Sequence, residues 1–378
     1  MKFNPILDTI KTYEAGKPIE LVVREFGVNP KDIIKLASNE NPHGVAPNIA
    51  QKIADNSYSS SIYPDDSMYE LKDALASKFK LKSENVIIGA GSDQVIEFCV
   101  HSKCDKNSKV LMSKTTFAMY EIYTKQTGAT ILKTPSHEHN LNEFREIVEQ
   151  EEGKIDIIFL CLPNNPLGEC LEASEVYGFL DFVHQINPET LVVLDGAYQE
   201  YAKIKDGKKE IKPKYVINRF DNVIYLGTFS KAYGLGGMRV GYGLSNTSII
   251  SSLHKLRPPF NITTLSLASA IEALNKKSDK FVKMSIKDSF KQMKKYEKWA
   301  LKNNLDFIPS YTNFITLKMN DYNSSEVAQK LLQIGIIVRD LASYGLNSIR
   351  ITIGKKAQNK IVLEKLTQIL EEMKDNKN

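Results

Sequence analysis

Residues 222–244, NVIYLGTFSKAYGLGGMRVGYGL, decide the fold class. NVIYLGTFS reads as a buried strand that ends among small residues at Lys231. MRVGYGL follows after a loop too short for the helical crossover between parallel strands, so it is expected to run antiparallel or to cross between elements. Similar Val- and Ile-rich runs occur upstream in NVIIGAG, KVLMSK, ATILKT, IDIIFLCLP and TLVVLDGAY. Most are separated by segments of helical periodicity, which predicts an α/β fold around a mostly parallel sheet. From about residue 265 the pattern changes to long charged helices such as KQMKKYEKWALKNN, then NFITLKM, GIIVRDL, SIRITIG and a final helix. That change, with RPPFN at 257–261, predicts a large domain over 40–264 and a smaller α+β domain built from 1–39 and 265–378.

The 378 residues are 42% hydrophobic and 25% charged, ordinary values for a folded globular chain with a sizeable core. A net charge of +5 spread over exposed-looking helices does not indicate nucleic-acid binding. Cys99, Cys104, Cys161 and Cys170 form no CxxC pair, as expected of reduced thiols in a cytoplasmic protein. No stretch reaches membrane-spanning length, so no membrane partner is expected.

The chemistry-bearing residues sit at strand ends. VIIGAGSDQVIEF passes from a strand through glycines into a helix, a setting that can hold an anion on backbone N–H groups. It half-matches a dinucleotide fingerprint, but Gln94 replaces the third glycine. LCLPNNPLGEC places Asn164, Asn165 and Gly168 after an apolar strand, where a plain turn is the alternative reading. LVVLDGAYQEY ends a strand with Asp195 and puts Tyr198 three residues on; alone, Asp195 could be a helix cap or turn residue. Lys231 is followed eight positions later by Arg239. A desolvated lysine among small residues can form a Schiff base. In this order the groups match what pyridoxal phosphate needs: an acid for the ring nitrogen, donors for the phenolate oxygen, an amine for the aldehyde, and serine, arginine and a helix end for the phosphate.

The motifs YEAGKPIE, LASNENPHG, YPDDSMYELKDALA, GAGSDQVIE, NNPLG, LDGAY, SKAYGLGGMRVGYG and IRITIG, spread over nearly the whole chain, resemble the fold type I aspartate-aminotransferase superfamily. The resemblance is to its branch that moves an amino group from histidinol phosphate to 2-oxoglutarate, giving glutamate, in histidine biosynthesis. It implies a pyridoxal-phosphate transaminase in which Lys231 is the Schiff-base lysine and general base, and Asp195 keeps the pyridine nitrogen protonated. Tyr198 and Asn165 would hydrogen-bond the phenolate oxygen. Ser230, Arg239, Thr228 and the amides of Ser92 and Asp93 would hold the phosphate, with Phe117 of TTFAMY stacked on the ring. Tyr63 of the YPD motif resembles a residue that reaches the phosphate across a homodimer interface. Arg350 resembles the arginine that takes the substrate carboxylate, Arg339 and Tyr13 match positions that grip the substrate phosphate, and Asn165 also faces substrate. The chain departs from the commoner pattern at Leu167, Gly196 and Gly236, none of which removes a reacting group. Lysine, aspartate and tyrosine leave open an aromatic or other phosphorylated-amine aminotransferase, or a phosphothreonine-type decarboxylase. No metal is expected: His137 and His139 in SHEHN lack a third ligand and are expected in a solvated loop, and His43 in a turn.

Overall fold

The computed structural model describes residues 1–10, 12 and 19–376. Its main sheet comprises β2 (Val86–Gly89), β3 (Lys109–Met112), β4 (Thr130–Lys133), β5 (Ile157–Cys161), β6 (Leu191–Asp195), β7 (Val223–Thr228) and β8 (Gly241–Leu244), after a short β1 (Ile34–Lys35) that lies elsewhere. The spatial order is β2-β8-β7-β6-β5-β3-β4. Only β8 runs against its neighbours, paired antiparallel with both β2 and β7, as its short connection requires. The remaining pairs are parallel.

The strands read as unbroken apolar runs because both faces of the sheet are covered. Val192 and Leu194 face one core, with Ile158 and Leu160 beside them, while Leu191 and Val193 face the other, with Ile157 and Phe159. Gly241 on β8 allows a close approach: a Cβ there would lie 2.0 Å from the Ser92 amide nitrogen. The glycine therefore lets the turn before the helix Ser92–Lys103 rest on the sheet.

A second sheet holds β9 (Asp306–Ile308), β10 (Phe314–Lys318), β12 (Arg339–Asp340) and β13 (Ser348–Thr352), in the antiparallel order β12-β13-β10-β9. Separately, β11 (Ile336–Ile337) pairs parallel with β1, which ties residues before 40 to the C-terminal strands. Ile315, Leu317, Ile349 and Ile351 pack with Tyr296, Leu331 and Leu366 in a core of their own. Packing also carries Ala270, Ala273, Val282 and Ile286 into the larger core, beyond the boundary at residue 264 suggested by the sequence pattern. The helix Lys276–Lys302 thus spans both cores, since its Met293 and Ala300 join the smaller one.

Candidate active site

At the carboxyl ends of β5, β6 and β7, one cleft is lined by Ser92, Asp93, Phe117, Asn165, Asp195, Tyr198, Thr228, Ser230, Lys231 and Arg239. Residues far apart in sequence, from Ser92 to Arg239, therefore meet around one space.

Asp195 closes β6 and is buried. Its Oδ2 accepts from the Tyr120 hydroxyl at 2.7 Å and its Oδ1 from the Ala197 amide at 3.0 Å. Burial pushes its carboxyl up, and these two hydrogen bonds pull it back. Tyr120 is itself fixed by stacking on Phe159, with ring centroids 4.3 Å apart.

Lys231 follows β7 and forms no ion pair among the described residues, although its Nζ donates to the Ser38 carbonyl at 3.4 Å. It lies 5.9 Å from the Tyr198 ring centroid. Desolvation, reinforced by the Arg350 and Arg239 charges, lowers its ammonium to about 8. Burial pushes the Tyr198 phenol up, while its hydroxyl accepts from Asn39 Nδ2 at 2.8 Å. Asn39 is held in turn by Thr352, whose Oγ1 donates to Asn39 Oδ1 at 3.1 Å.

At the other end of the cleft, the first amides of the helix Ser92–Lys103 lack intrahelical acceptors. Gly91 precedes them at φ 81°, and a Cβ there would stand 2.6 Å from Arg239 Nη2. Arg239 forms no ion pair among the described residues; its Nη1 donates to the Gly236 carbonyl at 3.1 Å and to Ser230 Oγ at 3.4 Å. Thr228 Oγ1 accepts from the Ser230 amide at 3.1 Å. Helix amides, a serine and an arginine lacking a counter-ion make a cup for a dianion. Asp93 turns its carboxylate away from that role: Oδ2 accepts from Tyr123 at 3.0 Å, and burial raises its pKa. With an acid at one end, a cationic cup at the other and an amine between them, the cleft fits pyridoxal phosphate.

Substrate-side residues take different places. Arg350, in β13, is buried; its Nη1 donates to Asn165 Oδ1 at 2.6 Å and Nη2 to the Ala37 carbonyl at 2.6 Å. Arg339 lies opposite Arg350 in register but lines a neighbouring cleft with Ser113, Lys114 and Tyr344, which meets the first at Phe117. Tyr63 does not line the cleft; it is 78% exposed and stacks on Phe260 at 4.6 Å. Tyr13 lies outside the described residues.

Residues 31–366 match the family of class I and II aminotransferases. The chain belongs to that family. It is 60% identical over 377 residues to histidinol-phosphate aminotransferase of Aliarcobacter butzleri, covering 100% of both chains. Against the protein of that name from Wolinella succinogenes it is 60% identical over 371 residues, 98% of this chain and 99% of the relative. Solved aminotransferases share its fold. Sinorhizobium meliloti histidinol-phosphate aminotransferase, in complex with pyridoxal-5'-phosphate, superposes with a TM-score of 0.87 at 24% identity over 98% of each chain. Thermus thermophilus aspartate aminotransferase with maleate gives 0.83 at 15% identity over 98% of this chain and 100% of that one. The chain is thus a fold type I, pyridoxal-phosphate-dependent aminotransferase.

Sequence reasoning missed Tyr120 and Asn39, although both stand in motifs it quoted. The expectation of a solvated loop also fails at His139. Its side chain is fully buried, bonded through Nδ1 to Glu169 Oε1 and through Nε2 to the Cys161 amide, both at 3.2 Å. These partners neutralise the cost of burying an imidazole. His137 Nδ1 meets Thr115 Oγ1 at 2.7 Å, and no group of metal-ligating side chains occurs among the described residues. His43 sits in a turn, as expected, and also pairs with Asp288 at 3.2 Å.

Proposed function

We propose that this aminotransferase moves an amino group between L-histidinol phosphate and 2-oxoglutarate, yielding imidazole acetol phosphate and L-glutamate, in L-histidine biosynthesis. The observation that carries the substrate assignment is the 60% identity, end to end, with relatives named for that activity. Bound pyridoxal phosphate supplies an electron sink for the charge left when the substrate Cα proton departs.

The chain's residues do the rest. Asp195 holds the proton on the ring nitrogen, and Tyr120 and the Ala197 amide orient that carboxylate. Asn165 and Tyr198 donate to the phenolate oxygen, and Phe117 covers the ring. The Ser92 and Asp93 amides, Thr228, Ser230 and Arg239 bind the phosphate. Lys231 would accept the proton from the substrate Cα, and burial, which lowers its ammonium to about 8, keeps a share of the neutral amine available near neutral pH. Arg350 offers a planar fork to the carboxylate of glutamate, and Arg339, with Tyr13, takes the phosphate of the amino alcohol.

The exposed Tyr58, Ile62, Tyr63 and Tyr69 lie on one segment and support a homodimer interface through which Tyr63 enters the partner's site. We read residues 40–264 as the cofactor-binding domain, to whose core Ala270, Ala273, Val282 and Ile286 also pack, and 1–39 with the rest of 265–378 as the substrate-gripping one. No helix among the described residues is long and apolar enough to cross a membrane, and we assign the reaction to the cytoplasm.

The test is the absorption of the pyridoxal-phosphate-loaded protein on adding L-histidinol phosphate without an acceptor. Conversion of the visible band to the pyridoxamine phosphate spectrum is expected. A band discharged only by aromatic amino acids would leave the cofactor assignment standing and remove the substrate.

A further inference from the structure

Behind the cleft lies a buried polar cluster to which the reaction as described gives no role. Register between β3 and β5 ends at Leu111 and Ile158, so β5 continues to Cys161 without a strand on that side. The Leu162 amide points to the Asp195 carbonyl of β6 at 2.9 Å, and the preceding Cys161 amide points the opposite way. There it meets His139 Nε2 at 3.2 Å. A backbone amide can only donate, so Nε2 is the acceptor and the ring carries its proton on Nδ1. That proton is directed at Glu169 Oε1, 3.2 Å away.

Glu169 Oε1 also accepts from the His139 amide at 3.2 Å and from Asn164 Nδ2 at 2.7 Å. Asn164 is fully buried, and its Nδ2 donates as well to the Thr115 carbonyl at 2.9 Å. Asn164 directly precedes Asn165, and Thr115 stands two residues before Phe117. One side-chain amide therefore ties the turn presenting Asn165 to the loop presenting Phe117, two walls of the cofactor cleft.

We propose that His139, Glu169 and Asn164 are positioning residues that set the separation of Asn165 and Phe117, and so the hydrogen bond to the cofactor's phenolate oxygen. This rests on the function proposed above. The triad touches neither the cofactor nor the reacting atoms; it acts through Asn165. His139 supplies a single tautomer, Glu169 a common acceptor, and Asn164 the bridge.

The experiment compares wild type with Glu169→Leu, which removes the acceptor, and Glu169→Gln, which keeps an acceptor oxygen. Each is titrated with pyridoxal phosphate, and the pH midpoint of the visible band, which reports hydrogen bonding at the phenolate oxygen, is measured. For Glu169→Leu the Kd for pyridoxal phosphate should rise about tenfold, as expected when a charged acceptor shared by three donors is lost, and the midpoint should move upward. Glu169→Gln should stay within about twofold of wild type. A folded Glu169→Leu with a lower Tm but unchanged Kd and midpoint would reduce the triad to a stability element and overturn the proposal. Should that variant not fold, His139→Gln, whose amide oxygen can still accept from Cys161, is measured in the same way. It should shift the midpoint in the same direction, and an unchanged midpoint overturns the proposal. A wild type that takes up no pyridoxal phosphate overturns the proposed function itself, whereas unaltered variants of a loaded wild type overturn only the triad.

Discussion

The floor of the active site and its substrate side are built in opposite ways. On the floor, Asp195 ends β6 and Lys231 follows the adjacent parallel β7 by three residues, and the carboxylate's partners are already in place before any ligand arrives. On the substrate side, Arg350 and Arg339 come from a separate antiparallel sheet and face each other in register, yet Arg350 is buried while Arg339 lines the neighbouring cleft. Arg350 is buried against Asn165 and the Ala37 carbonyl, which couples it to the floor. On the function proposed above, the floor supplies the acid and the amine, and the second sheet supplies the arginines that hold the substrate and so set which of its bonds is presented to them. The two should respond differently to substitution.

The largest effect is expected on the floor. Lys231→Ala removes the amine and the only proton carrier assigned to Cα, so kcat should fall by roughly four orders of magnitude or more. The visible band of the lysine-linked cofactor should vanish with it. Single-turnover absorbance on adding L-histidinol phosphate measures both, and amino transfer near the wild-type rate would break the assignment of Lys231.

Substitutions on the substrate side should divide the two half-reactions. Arg350→Lys keeps a charge but loses the planar fork, and kcat/KM for glutamate should drop about 10- to 100-fold. Arg339→Ala should cost a similar factor with histidinol phosphate while leaving the glutamate half-reaction within about threefold. Measuring kcat/KM for each half-reaction separates them. Equal losses with both substrates for both variants would show that the arginines act as one site, and the contrast between the buried and the cleft-lining arginine would disappear.

The floor was legible in sequence because a covered parallel sheet turns each strand into an unbroken apolar run, and reactive residues punctuate the ends of those runs. Asp195 and Lys231 stand out for that reason. Strands of two or three residues are too short to carry such a signal: β1 and β9 were not read, and β11 was read only within the longer run GIIVRDL. Tyr120 was hidden because a tyrosine on an amphipathic helix looks like core, and nothing local points to an aspartate 75 residues away. Asn39 was quoted within LASNENPHG, but its partner Tyr198 is 159 residues distant. His139 misled for a related reason. Its neighbours in SHEHN are polar, while the groups that bury it, Cys161 and Glu169, lie 22 and 30 residues on. What a sequence shows well is chemistry placed by one element; what it hides is a contact made between elements.

The smallest effect distinguishes orientation from chemistry on the floor itself. Tyr120→Phe keeps the ring that stacks on Phe159 and removes only the hydroxyl donated to Asp195. Burial already raises the Asp195 carboxyl above the ordinary aspartate value of 3.8, and the Tyr120 bond opposes that rise. A folded-state pKa above the unfolded one means that stability is highest in acid and is lost as pH rises from the unfolded value through the folded one. Removing Tyr120's hydroxyl pushes the folded value higher still, so the variant's deficit should grow over that window. The cofactor-free variant should be less stable than wild type by about 1–2 kcal/mol at pH 7, with the deficit shrinking toward pH 4. Urea unfolding of both proteins at the two pH values reads this directly, since contributions from other titrating groups cancel in the difference. A deficit independent of pH would mean that the hydroxyl contributes packing alone, and that the Ala197 amide suffices to hold the carboxylate.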